Sequence, residues 1–157
     1  MPEKPSLEEA SDRTITVRWV FDAPRELVWQ EWTEPDRFAD WFGFPDAETP
    51  LSAISMDVTP GGVWHATMFT GAGRLEIQWR GEYREVVKPE RLVFTMCDRL
   101  DDASCQLVSV VLRDLGDSRT EMLFEQRGYL GRELYDRATK GWASFFNRIS
   151  QRLADAC

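Results

Sequence analysis

Histidine is all but missing from this sequence: His65 stands alone among 157 residues. One imidazole cannot build a multi-histidine metal centre, and it leaves a nucleophilic triad a single base to use. The elbow Gly-x-Ser-x-Gly is absent, so no serine is presented as an α/β-hydrolase presents one. Cysteine is scarce too. Cys97, Cys105 and Cys157 are odd in number and include no Cys-x-x-Cys, which implies neither a disulfide framework nor a zinc knuckle. The phosphate-cradling Gly-x-x-x-x-Gly-Lys-Ser/Thr is missing. Gly71-Ala72-Gly73 begins like a dinucleotide fingerprint, but Glu76 stands where the third glycine belongs, and the segment reads as a turn between strands. No apolar run reaches the roughly 18 residues of a membrane span. The start, MPEKPSLEEASDR, lacks the apolar stretch of a signal peptide, so a cytoplasmic location is expected. Positive charge is in deficit, with 19 Lys and Arg against 27 Asp and Glu, for a net charge of −8. A surface of that sign repels phosphate backbones and anionic lipid, so neither nucleic acid nor membrane is an expected partner.

What the chain does have is aromatic bulk: seven tryptophans and nine phenylalanines. Its apolar fraction of 43% and charged fraction of 29% are those of a folded globular protein, and its length suits one domain. Residues 1–13 are polar and read as a flexible lead-in; 14–157 read as the domain. Thr14 to Phe21 alternates as a half-buried strand, with Ile15, Val17, Trp19 and Phe21 on one face. Asp22-Ala23-Pro24 starts a short helix with Leu27, Val28 and Trp32 on its apolar side. Pro35 opens a second, carrying Phe38, Trp41 and Phe42, which Gly43 ends.

From Leu51 the period becomes two. Strands are expected over Leu51–Val58, Val63–Phe69, Leu75–Val87, Arg91–Cys97, Cys105–Leu115 and Arg119–Arg127, joined by turns rich in Gly and Pro. Gly81 is a candidate bulge. Strands in a row with short connections predict an antiparallel meander. From Gly131 the spacing of Leu134, Ala138, Trp142, Phe145, Phe146, Ile149 and Leu153 predicts a long amphipathic helix, ~36 Å if it runs to residue 154. The fold class is therefore α+β: a curved antiparallel sheet of six to seven strands around a long C-terminal helix, with two short helices after the first strand. The space between sheet and helix is either an apolar pocket or an interior filled by its own rings.

Four segments carry a resemblance: FDAPRELVWQEWTEPDRFADWFG at 21–43, DVTPGGVW at 57–64, GEYREVVKPERLVFT at 81–95 and KGWASFFNRISQRL at 140–153. In this order they resemble the START-like, or SRPBCC, superfamily with its helix-grip fold, which includes the birch-pollen allergen and aromatic polyketide cyclases. Within it, the sequence is most similar to the family named after the C-terminal domain of the heat-shock protein 90 ATPase activator. That activator carries an additional N-terminal domain. With its first strand at about Thr14, this chain resembles a stand-alone, single-domain member. The resemblance implies no shared catalytic set.

The residues facing the expected interior are Trp64 and Met68 from one strand, Phe94 and Met96 from another, and Trp142 and Phe146 from the long helix. Trp41 and Phe42 are expected at the mouth. Rings stack and methionine repacks, so this set suits a planar or irregular apolar ligand. The function expected is non-catalytic binding of a small hydrophobic or aromatic ligand, with no metal or cofactor. A protein-interaction module, with a chaperone as partner, is one alternative. A cyclase or hydratase using His65 or a pocket carboxylate is another. His65 shares the strand face of Val63, Thr67 and Phe69, opposite Trp64, Ala66 and Met68. Glu76, Gln78, Arg80 and Glu82 read as solvent-facing, as do Arg119, Glu121, Glu125 and Arg127, whereas Gln126 alternates inward. Asp98, Asp101 and Asp102 lack the glycine and spacing of a calcium loop and read as a solvated acidic loop. A homodimer is the expected assembly.

Overall fold

Among the described residues, eight strands join in one antiparallel sheet. The computed structural model describes residues 12–43, 47–71, 75–97, 105–129 and 132–156. The expected lead-in lies outside the described residues as far as residue 11, as do the acidic loop with Asp98, Asp101 and Asp102 and positions 72–74. Strand β1 (Asp12–Phe21) is followed by helices α1 (Arg25–Thr33) and α2 (Pro35–Trp41). Then come β2 (Ala47–Glu48), a 3-10 turn (Leu51–Ala53), β3 (Ile54–Met56), β4 (Val63–Thr70) and β5 (Leu75–Val87). Strands β6 (Arg91–Met96), β7 (Gln106–Gly116) and β8 (Arg119–Tyr129) lead into helix α3 (Arg132–Ala156). The sheet order is β1-β8-β7-β6-β5-β4-β2, with β3 also paired to β4.

Residues 51–58 do not form the expected strand. Ala53 N–H bonds back to the Pro50 carbonyl at 2.9 Å, closing a 3-10 turn, and only three residues remain to pair with β4. Leu51 is exposed, whereas Ile54, Met56 and Val58 keep the alternation and pack against the core. The two-residue strand β2 is too short to carry a period. Nor do the cysteines stay apart: Cys97 and Cys105 form a disulfide. Their separation of eight residues resembles no metal or redox motif, but it places them across the β6–β7 hairpin, one residue beyond the Met96–Gln106 pair.

Gly81 is not the bulge; the register shift falls between Tyr83 and Glu85. Gly81 instead permits a close approach. Arg80 and Cys97 exchange both backbone hydrogen bonds, at 2.9 and 2.7 Å. The next such exchange would fall to Glu82 and Thr95, and side chains replace it. Trp64 Nε1–H donates to the Thr95 carbonyl at 3.0 Å, while Glu82 N–H donates to the Thr95 hydroxyl at 2.9 Å. A Cβ at Gly81 would run into the Thr95 carbonyl and lie 2.5 Å from Trp64 Nε1. The indole is thus wedged into the ladder where the sheet departs from flat pairing.

Helix α3 lays Trp142, Phe146, Ile149 and Leu153 into the core, all at most 5% exposed. A charged clamp fixes its far end. Arg152 donates to both oxygens of Glu31, at 2.7 and 3.2 Å, and to Asp40 at 2.6 Å. Arg37 approaches Glu31 at 3.6 Å. Glu31 is only 1% exposed, so these partners are what make its charge tolerable inside the protein.

Gly81→Ala should cost about 3 kcal/mol, because neither a backbone carbonyl nor an anchored indole can retreat cheaply. Denaturant unfolding checks this; an unchanged midpoint would remove the wedge from the account of the bent sheet.

Candidate functional site

The interior between the sheet and α3 is organised around Trp32. Its ring lies 4.9 Å from Trp41, 6.3 Å from Phe94, 6.2 Å from Phe124, 6.1 Å from Trp142 and 6.2 Å from Phe146, centroid to centroid. The rings therefore come from both short helices, the sheet and α3. All eight residues proposed from sequence are buried, and they join this one cluster. Two of them are not where they were expected. Trp41 and Phe42, at 0% and 2% exposure, do not form a mouth. Phe38 of α2 stacks on Phe42 at 4.5 Å, and Trp41 Nε1–H donates to the carbonyl of Glu31 on α1 at 2.9 Å, so the two short helices hold both rings inside.

One cavity within this cluster is small. A cavity of about 10 Å³ is lined by Trp32, Phe38, Met56, Trp64, Tyr83 and Phe94, about the room one water needs. Sequence reasoning singled out Trp64 and Phe94, placed Trp32 and Phe38 only on apolar helix faces, and passed over Tyr83 and Met56. Alternation along β5 puts Tyr83 in line with Gly81, opposite Trp64; following that parity past the glycine would have found it.

The polar atoms of this interior are unequally served. Trp142 Nε1–H donates to Gln126 Oε1 at 2.6 Å, and the Gln126 amide donates to Gln106 Oε1. Trp19 Nε1–H reaches Ser150 Oγ at 2.9 Å. Trp32 Nε1 is buried with no hydrogen-bond partner. An orphaned buried donor costs roughly 1–3 kcal/mol. Tyr83, 2% exposed, has its hydroxyl pKa raised, first by burial and then by the negative charge of Asp57.

His65 lies apart from these rings. It sits half-buried on β4, paired with Ser55 on one side and Arg80 on the other. There it lines an open groove of about 670 Å³ on the outer face of the sheet, with Arg80, Glu82, Arg84, Cys97 and Cys105. An imidazole on that face does not reach a substrate held among the rings. Among the described residues no three His, Cys, Asp or Glu converge to hold a metal ion, and no helix is long and apolar enough to cross a membrane.

A bent antiparallel sheet closing on a long C-terminal helix, with two short helices after the first strand, is the helix-grip architecture of the START-like superfamily. More narrowly, residues 22–154 match the family model of the Activator of Hsp90 ATPase homolog 1-like proteins, and the chain belongs to that family. Among solved structures, protein CV1439 from Chromobacterium violaceum is 20% identical, with a TM-score of 0.80, over 90% of this chain and 97% of that one. The AHSA1 protein SPO3351 from Silicibacter pomeroyi is 18% identical, with a TM-score of 0.80, over 92% and 100%. SA2116 from Staphylococcus aureus, described as a protein of unknown function, is 18% identical, with a TM-score of 0.79, over 95% and 98%. At such identities the likeness establishes the fold. No curated protein matches the sequence.

The Tyr83 environment makes stability depend on alkaline pH. An unfolded tyrosine releases its proton near 10, whereas the folded chain holds it to higher pH. The contribution is therefore intact below pH 10 and is lost as pH rises beyond it, at up to about 1.4 kcal/mol per pH unit. Urea unfolding above pH 10 should show this slope in the wild type and a shallower one in Tyr83→Phe; parallel curves would contradict the burial argument.

Proposed function

We propose that this domain binds a small, largely apolar ligand carrying one hydrogen-bond acceptor, without covalent chemistry, at the void beside Trp32. The observation that carries the reading is the unpartnered Trp32 Nε1–H on a ring that lines that void. A buried donor without an acceptor needs an explanation, and a ligand carbonyl, ether or carboxylate oxygen supplies one. The surrounding rings favour an aromatic or otherwise planar body.

A 10 Å³ void admits such a ligand only if a wall yields. Met56 is the wall suited to yielding. It is half-buried, so it separates the void from solvent. Its strand has three residues and pairs only with β4, and its side chain is flexible. Trp64 and Phe94, both from the set chosen on sequence, face the ligand in this reading. Trp41, Phe42, Met68, Met96, Trp142 and Phe146 form the packed shell behind it.

Acetophenone, an aromatic ring bearing one carbonyl, is a suitable probe, with ethylbenzene as its acceptor-free counterpart. In ¹H–¹⁵N spectra acetophenone should move the Trp32 indole resonance, and ethylbenzene should bind about tenfold more weakly for want of the hydrogen bond. Met56→Ala, which enlarges the void, should tighten acetophenone binding. An unmoved Trp32 resonance in both wild type and Met56→Ala would end the proposal.

A further inference from the structure

The outer groove holds a chemistry that the interior site does not use. The Cys97–Cys105 disulfide forms part of its lining, beside His65, Arg80 and Arg84. The two sulfurs are unequally placed. Cys97 is 2% exposed and is tied by both backbone hydrogen bonds to Arg80. Cys105 is half-buried, just before β7 begins. The groove, about 670 Å³, has the volume of a small-molecule site. Within the lining Arg84 is paired with Glu82 at 3.4 Å, and it is the open space beside Cys105 that gives a small thiol access to the bond.

The bond also stands at the head of a chain of contacts into the core. Gln106, next to Cys105, accepts from the Gln126 amide, and Gln126 accepts from the Trp142 indole at 2.6 Å. Trp142 packs on Phe124 at 4.4 Å. Releasing the covalent tie between β6 and β7 frees Gln106 to shift, and the shift reaches Trp142 through two hydrogen bonds.

We propose that Cys97–Cys105 is an exchangeable disulfide, that the groove admits small thiols to it, and that Cys105 is the sulfur attacked. A thiolate RS⁻ bonds to Cys105 Sγ as the Sγ–Sγ bond breaks, and Cys97 leaves as a thiolate that takes up a proton. A second RS⁻ then attacks the R-side sulfur of the mixed disulfide, releasing Cys105 as a thiolate and forming RSSR. Two electrons pass from two small thiols to the protein disulfide. Thiol–disulfide exchange of this kind is governed by thiolate supply and access, and the groove provides the access to one sulfur.

The test exposes the native full-length chain to glutathione, quenches with N-ethylmaleimide, and maps each cysteine by peptide mass spectrometry. Glutathione should be found on Cys105 and maleimide on Cys97. Complete reduction should move the Trp142 indole ¹H–¹⁵N resonance while the protein stays folded. Adducts on Cys97, or adducts that form only once denaturant is added, would overturn the exchange site. An unmoved Trp142 resonance in the fully reduced protein would overturn the link to the core. None of these readouts depends on whether acetophenone binds beside Trp32.

Discussion

Ring packing on Trp32 is the interaction the rest of the molecule depends on. Its indole meets rings from α2, β6, β8 and α3, so one side chain from α1 holds four other elements in register. Each such contact adds about 0.5–1.5 kcal/mol beyond the area it buries. The unpartnered Nε1–H works against this by about 1–3 kcal/mol. Five ring contacts outweigh one orphaned donor, which is why the fold tolerates it. The ring is kept where it packs best, and its polar atom is left without a partner.

That arrangement requires α3 to arrive at a fixed angle, and the Glu31 clamp sets it. Exposed pairs such as Arg18–Glu121 sit in solvent and contribute little. Glu31 differs because its carboxylate is buried and its partners come from α2 and α3. Such a cluster is a weak source of net stability, since desolvation offsets most of the attraction. Its effect is selective. A different docking of α3 would leave Glu31 with only Arg37 nearby, a far poorer state than the observed one. At the other end of the sheet, the Trp64 wedge plays the matching part, because the bend it stabilises brings β4 and β5 over the same rings.

Much of this was legible in the sequence, for a physical reason. Strand β7 alternates from Leu107 to Leu112 because one face meets the rings and the other does not, and α3 keeps its stripe because it lies on that same inner face. Residues 51–58 sit at the sheet margin, where a 3-10 turn after Pro50 takes up the first three residues and the alternation begins only at Ile54. The disulfide left no trace because two cysteines eight residues apart acquire meaning only once the hairpin brings them together. The site was legible in membership and not in volume. Trp64, Phe94, Trp142 and the others do converge, but open and filled interiors use identical residues. The difference lies in how deeply Trp32 and Phe38 are driven in by helices whose docking no local pattern encodes.

In the binding proposed above, a preformed pocket would select ligands by shape, whereas a void with room for one water selects first by the free energy of opening it. If displacing Met56 costs about 2–3 kcal/mol, apparent affinity falls by roughly 30- to 150-fold relative to the open form. A purely apolar guest must recover that from contacts the rings already make with one another, which leaves little surplus. A guest with an acceptor also gains the hydrogen bond that Trp32 lacks, whose tenfold worth offsets about half of the opening cost. The vacant donor and the closed cavity are therefore two halves of one selection rule, in which the polar atom of the guest matters more than its bulk.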